Sequence, residues 1–319
     1  VSSAPDSALS PSIIMHTVSE GESAVPLAEL VASMAGTVGT TALERGGVWV
    51  NWRRVLSSEL TLEPGDQVTI RLPPNGIYAE PVVTAADLVY EDRWLVVLNK
   101  AVGWYTIETP WDRFGNVWVA LKTYLMARDG TDLVLHPAHR LDRDTSGLLL
   151  FSRDAGINRA LHDAFAGRSV TKRYLAVCAG SPDWMHCSLT TGHGRSAHGR
   201  WRLYGEDEIG QTLPQGGGRI KSAQTSFKCL HRYGDYALIE AELHTGRTHQ
   251  IRLHLAHLGH PILGDATYGG LTEVAGVPIK RHLLHAGLLS LTHPVTHEPL
   301  HLNCPLPEDL RDWVERAAL

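Results

Sequence analysis

The chain reads as α+β, with a large mixed but mostly antiparallel sheet preceded by a small α/β module, on three grounds. Short apolar runs and segments of helical spacing are intermixed, without the regular strand–helix–strand rhythm of a parallel α/β fold. With 319 residues and 43% hydrophobic content, the chain is long enough for more than one core. A proline-rich break from Pro73 to Pro81 separates an N-terminal part from the rest.

Residues 1–12 read as a disordered tail of Ser, Ala and Pro, lacking the basic start and apolar stretch of a signal peptide. The chain begins at Val1 and not Met, which leaves the true N-terminus open. Residues 13–73 read as the small module. Leu27, Leu30, Val31 and Met34 fall at i, i+3, i+4 and i+7, with Pro26 suited to a helix start. A strand, Val48-Trp49-Val50-Asn51, follows Gly46-Gly47. Pro64-Gly65-Asp66 is a turn, and Val68, Ile70 and Leu72 alternate with polar residues as a half-buried strand does. Residues 74–82 read as a linker.

Residues 83–319 read as the second domain. Trp94 to Leu98 is an apolar run of buried-strand length. Val117, Ala120, Leu121, Tyr124 and Leu125 have helical spacing. So do Ile157, Ala160, Leu161, Ala164 and Phe165, with Asp154 near the start and Gly167 past the end. Tyr174 to Val177 and Tyr236 to Ile239 read as strands, and the Gly-rich segment 192–222 as a long surface loop or hairpin. Ile251, Leu255 and Leu258 make a helical face ended by Gly259. Leu310, Trp313, Val314 and Ala317 mark a C-terminal helix.

The net charge is −5, unlike a general polyanion binder, but its distribution is uneven. Residues 136–260 hold 16 of the 29 Lys and Arg against 11 of the 34 Asp and Glu, so they carry +5 and the remainder −10. A basic middle in an acidic chain fits one positive face for nucleic acid. Cys178, Cys187, Cys229 and Cys304 form no metal or disulfide pattern and fit free thiols in a reducing cytoplasm. No apolar run is long enough to span a bilayer, so no membrane partner is expected.

Three segments carry chemistry. In the first, running from His136 to Phe151, Asp142 stands between Arg140 and Arg143 on a turn that leads into an apolar strand. Fixed positive charge a few Å away favours the ionised carboxylate. The second, Thr171-Lys172-Arg173-Tyr174, places an aromatic hydroxyl at a strand start behind two cations. The third, Thr245 to Leu255, opens a helix and supplies Arg247 and Arg252. An ionised carboxylate, a Tyr and a partner Arg suit covalent chemistry at an anomeric carbon. A glycosidase would need a second acid at a fixed separation, and Glu240 and Glu242 alternate on a strand instead.

These three segments resemble the sequence motifs of the RluA family of RNA pseudouridine synthases. The resemblance continues through Tyr90-Glu91-Asp92 to Asn99-Lys100, Leu258 to Asp265, Leu284-His285-Ala286 to His293-Pro294, and Pro305-Leu306-Pro307, in family order over roughly 83–319. It implies a catalytic domain of pseudouridine synthase type that isomerises specific uridines in structured RNA without cofactor or metal. Asp142 would be the catalytic aspartate. Three first steps are compatible with it: attack on C1′, attack on the base, or abstraction of a sugar proton. Tyr174 would lie against the target base, and Arg252 would pair with Asp142. Arg140 would fill the stack when the base leaves it, a step that costs a few kcal/mol. Ile251 would pack on the flipped base or Tyr174. Arg247 and His249 either contact RNA or shape the turn by internal hydrogen bonds.

The front module resembles an S4-like RNA-binding domain through its helix at 26–35 and the run from Gly47 to Asp66. It departs from that pattern. Residues 13–52 offer only Arg45, with Arg53 and Arg54 following, and Trp52 stands where Gly is usual. Ala101 likewise replaces a usual Pro after Lys100. An appended S4-like module favours large-subunit ribosomal RNA as substrate, with transfer RNA as the alternative. A catalytically silent RNA-binding or assembly factor is the reading from another class, against which the intact Asp142, Tyr174 and Arg252 stand. A monomer is expected. His249, His254, His257 and His260 lie close in sequence, but without an acidic partner in a known ligand pattern they do not point to a metal.

Overall fold

The computed structural model describes residues 12–23, 25–130, 133–197 and 199–315. The expected tail lies outside them apart from Ser12, as does Ala317 of the C-terminal helix. The chain divides into two compact units, Val1–Val83 with Trp104–Thr131, and Thr84–Gly103 with Asp132–Leu319.

In the first unit, β1 (Ile13–Thr17), β2 (Val48–Val50), β3 (Arg53–Arg54) and β4 (Gln67–Arg71) form a sheet in the order β1-β4-β2-β3. Helix α1 (Leu27–Glu44) is broken at Gly36, whose φ of 56° lies in the left-handed region that favours glycine. Leu27, Leu30 and Val31 from α1 pack with Val48, Val68 and Ile70 in one core. The spacing that predicts the helix is therefore the spacing of its buried face. Residues 104–131, counted with the second domain on sequence, belong here by contact and contain α2 (Val117–Asp129). Arg45 Nη2 donates to Asp112 Oδ2 at 2.6 Å, and Trp49 Nε1 to the Pro110 carbonyl at 2.8 Å. Chain order cannot reveal such a return, because the tie is made of polar contacts between distant segments.

The second unit contains β5 (Leu88–Glu91), β6 (Leu95–Lys100), β7 (His136–Pro137), β8 (Ser146–Ser152), α3 (Asn158–Ala166), β9 (Thr171–Ala179) and β10 (His186–Arg195). It continues with β11 (Trp201–Tyr204), β12 (Lys221–Arg232), β13 (Tyr236–Leu243) and α4 (Gln250–His257). It ends with β14 (Glu273–Val274), β15 (Val277–Pro278), β16 (Leu284–Thr292), β17 (Pro299–Asn303) and α5 (Glu308–Glu315). The main sheet runs β11-β10-β12-β13-β9-β16-β8-β6-β5, with β7 on β8 and β17 on β16. This is the large, mostly antiparallel sheet that the sequence predicts. The Gly-rich segment resolves as a hairpin, since β10 and β11 pair over Gly192–Arg195 and Trp201–Tyr204.

Strand β8 is buried along its whole length, which explains its continuous apolar run. Leu148 and Leu150 share one face and pack with Ile157 and with Leu161 of α3. Among the described residues, β8 with β16 is the parallel pair of this sheet. Their N-terminal ends therefore lie side by side. Gly147 pairs with Ala286, and Ala286 with Tyr174 on β9. At Gly147 φ is 111°, and a Cβ there would lie 2.3 Å from the Ala286 carbonyl oxygen. Only glycine permits this approach, and the approach brings the loop before β8 to the same end of the sheet as Tyr174.

Candidate active site

Asp142 sits in the loop between Ala138 and β8, and almost every residue after it is pinned. The Thr145 amide closes a turn onto the Asp142 carbonyl at 3.1 Å. Lys100 Nζ donates to the Arg143 carbonyl at 3.0 Å, and Arg281 Nη1 to the Asp144 carbonyl at 3.0 Å. The Thr145 hydroxyl and His282 Nε2 share a hydrogen bond of 2.9 Å, as do the Ser146 hydroxyl and His285 Nδ1. Lys100, His282 and His285 are all buried. Burial lowers the pKa of Lys100 to about 7, against the opposing charges of Asp144 and Asp142. Burial also pushes His282 well below its ordinary value, and the cations Arg252 and Arg281 add to the effect.

The second wall is the loop from β13 into α4. Buried Gln250 ties it down. Its Oε1 accepts from the Thr245 hydroxyl at 2.7 Å and the Arg247 amide at 3.0 Å. Its Nε2 donates to the Gln224 carbonyl and the Thr225 hydroxyl, both at 2.9 Å. His249 caps α4 in the left-handed region, with φ 57°, and its Nδ1 shares a 2.8 Å hydrogen bond with the Tyr268 hydroxyl. Its Nε2 lies 3.8 Å from Asp142 Oδ2. Arg247 Nε donates to the Ser222 carbonyl at 3.0 Å.

Arg252, one residue further into α4 than Ile251, joins the two walls. Its Nε and Nη2 donate to Asp265 at 2.6 and 2.8 Å, while Nη1 donates to Asp142 Oδ2 at 3.2 Å. The guanidinium also lies 5.1 Å from the Tyr268 ring centroid. Burial works against the Arg252 charge, but the Asp265 hydrogen bonds and the charges of Asp265 and Asp142 outweigh it and raise its pKa. The resemblance implies that Arg252 pairs with Asp142; in the fold its two-pronged partner is Asp265, and Asp142 receives the remaining nitrogen.

All seven residues singled out on sequence, Arg140, Asp142, Tyr174, Arg247, His249, Ile251 and Arg252, line one cleft of about 610 Å³. Tyr174 and Ile251 are buried and Arg140 is exposed. Burial, then the charge of Asp142, raises the Tyr174 pKa, which keeps its hydroxyl a neutral phenol. Burial lowers the pKa of His249; Asp142 opposes this and Arg252 reinforces it. His254, from the histidine group, is a core residue. Its two ring nitrogens meet the hydroxyls of Thr191 at 3.0 Å and Thr225 at 2.9 Å. The cleft thus presents one carboxylate oxygen backed by a guanidinium, a neutral aromatic wall, and an exposed cation, Arg140.

The sequence marks no role for Asp265, Lys100, Arg281, His282 or Tyr268. Lys100 and Asp265 lie inside the motif stretches, but a buried polar residue has no periodic signature to mark it.

Comparison with known proteins gives the family. A sequence profile described as RNA pseudouridylate synthase matches residues 95–257. Over 308 residues the chain is 32% identical to Uncharacterized RNA pseudouridine synthase YlyB of Bacillus subtilis (strain 168), covering 94% of this chain and 96% of that one. It is 33% identical over 298 residues to Ribosomal large subunit pseudouridine synthase C of Escherichia coli (strain K12), covering 86% of each. The solved structure of Human RNA Pseudouridylate Synthase Domain Containing 4 shares the fold, with a TM-score of 0.58 and 24% identity over 73% of this chain and 93% of that one.

Proposed function

The chain belongs to the family of RNA pseudouridylate synthases, isomerases that act on RNA, and from that footing we propose that it converts specific uridines of large-subunit ribosomal RNA to pseudouridine with Asp142 as its catalytic residue. One observation carries the reading: Asp142 Oδ2 lies 3.2 Å from Arg252 Nη1 in a cleft walled by Tyr174. The choice of RNA draws on the large-subunit enzyme of Escherichia coli among the relatives.

In this reading a uridine leaves the RNA stack and enters the cleft, and Arg140 takes its place. Asp142 initiates cleavage of the N1–C1′ bond. The freed uracil turns while Tyr174 and Ile251 hold its faces, and C5 bonds to C1′. The C5 proton departs and N1 acquires one, so substrate and product are isomers. No electrons or groups are gained or lost, so the reaction consumes no co-substrate. Arg252 holds Asp142 in place through its Nη1 hydrogen bond. Arg247 and His249 contact RNA from the shaped loop. The first unit serves as an S4-like contact with RNA, at which Arg53 and Trp52 are exposed. Arg45 is instead committed to Asp112 and Glu80, and Arg54 to Glu108 and the Thr109 carbonyl. The enzyme acts as a monomer in the cytoplasm, where its four free thiols remain reduced.

The test is to incubate the protein with ribosomal and transfer RNA transcripts and map pseudouridine by a chemical adduct that stops reverse transcription. A stop in large-subunit RNA that depends on Asp142 is expected. Modification of transfer RNA alone would move the substrate, and no product on either RNA would overturn the reading.

A further inference from the structure

Beside the Asp142 cleft lies a second one of about 620 Å³. The two share a wall, Gly246-Arg247-Thr248. The other wall comes from the end of the β10–β11 hairpin and the turn leading into β12. Among the described residues, four cations line this groove, Arg195, Arg219, Lys221 and Arg247, and no carboxylate does.

The groove is built. The Arg195 guanidinium lies 4.7 Å from the Trp201 ring centroid, and Trp201 stacks on His193 with centroids 5.0 Å apart. His193 Nε2 lies 2.9 Å from the Thr248 carbonyl oxygen, so the hairpin is tied through its ring to the loop of the neighbouring cleft. Burial lowers the pKa of His193; its hydrogen bond to the Thr248 carbonyl opposes this, and the nearby Arg247, His249 and Lys221 add to the lowering. Arg168, which lines the first cleft, acts on Arg247 in the same sense. The cations therefore continue from one cleft into the next. Gly216 and Gly217 leave one rim bare, with nothing within 4 Å of where a Cβ would sit.

We propose that this groove binds the phosphodiester backbone of single-stranded RNA flanking the target uridine. The inference rests on the pseudouridine synthase reading of the adjoining cleft. A run of cations without carboxylates suits a polyanionic strand, and the shared wall makes the strand continuous with the extruded nucleotide.

The experiment uses the full chain and fluorescein-labelled oligouridylates of 5 and 15 nucleotides. Arg219 and Lys221 are exposed, so Arg219→Gln/Lys221→Gln leaves the fold intact. For the 15-mer, the double variant should bind about tenfold more weakly at 0.1 M salt, with a log–log salt slope shallower by about 1.4, from roughly 0.7 per lost contact on a single strand. The 5-mer should lose little. Lys228→Gln/Arg311→Gln, an equal change of net charge at exposed positions outside both clefts, should leave the 15-mer slope as in the wild type. An unchanged slope in the groove variant, an equal loss on both lengths, or an equal loss in the control variant would each overturn the proposal. If no transcript yields pseudouridine, the reading of the first cleft fails, while the oligouridylate slopes still decide the groove.

Discussion

Arg252 and Asp265 meet fork to fork, through Nε at 2.6 Å and Nη2 at 2.8 Å, and both side chains are buried. Asp265 thereby fixes the plane of the guanidinium, and Nη1 points at Asp142 as a consequence. Asp265 is a positioning residue. It lies just beyond the family match at 95–257, within a turn where the Gly270 amide donates to its carbonyl at 2.8 Å. Asp265→Asn keeps the shape but leaves the buried Arg252 short of a counter-charge, which should destabilise the fold by about 3 kcal/mol. Urea unfolding reads the stability. Turnover should fall further than RNA affinity, and a variant with wild-type stability would refute the anchoring role.

Arg252→Lys should not restore what Arg252→Ala loses, since an ammonium cannot hold Asp265 with two parallel hydrogen bonds and reach Asp142 as well. Both variants should depress kcat more than RNA affinity. A Lys variant with near wild-type kcat would mean that charge alone suffices.

Asp142→Asn should lower turnover by about 10²–10⁴-fold or more, the scale of a single catalytic group. Asp142 is partly exposed, and Arg252 keeps Asp265 as its partner. Stability should therefore change little, and RNA should still bind. Pseudouridine formed at a wild-type rate would remove Asp142 from the chemistry.

Gly147→Ala places a Cβ 2.3 Å from the Ala286 carbonyl oxygen at φ 111°. The strain and the parting of β8 from β16 should cost about 3 kcal/mol or more. Because the same pairing aligns Asp142 with Tyr174, activity should fall even at temperatures where the variant remains folded. Circular dichroism melts and a single-turnover assay separate the two effects.

The buried histidines predict acid sensitivity. Burial lowers His254 and His285 to about 4. An unfolded histidine titrates near 6.5. Between those values the unfolded chain binds more protons, so stability falls as pH drops from about 6.5 towards 4. Each histidine contributes up to about 1.4 kcal/mol per pH unit. His254→Gln, whose amide suits the Thr191 and Thr225 hydroxyls, should flatten this dependence by about one proton in denaturation at pH 4.5 to 6.5. An unchanged slope would show that His254 is not buried neutral.

Local pattern makes much of the architecture legible. The apolar spacing of α1, α2, α3 and α4 marks helices because it depends on neighbours within one or two turns. The run Leu148 to Phe151 announces a strand covered on both faces. The resemblance of the three motif segments to a known family identifies residues that meet in the cleft. Other features depend on partners far along the chain. Arg252 and Asp142 are 110 residues apart, Lys100 and Arg143 are 43, and Arg281 and Asp144 are 137. A buried Lys or Asp reads in sequence like a solvated one, since only the surrounding fold removes the water. The helical spacing of α2 says that one face is buried, not which unit covers it. The parallel register of β8 on β16 arises when two backbones close to contact over Gly147, and that closure turns an Asp between arginines into one wall of a cleft.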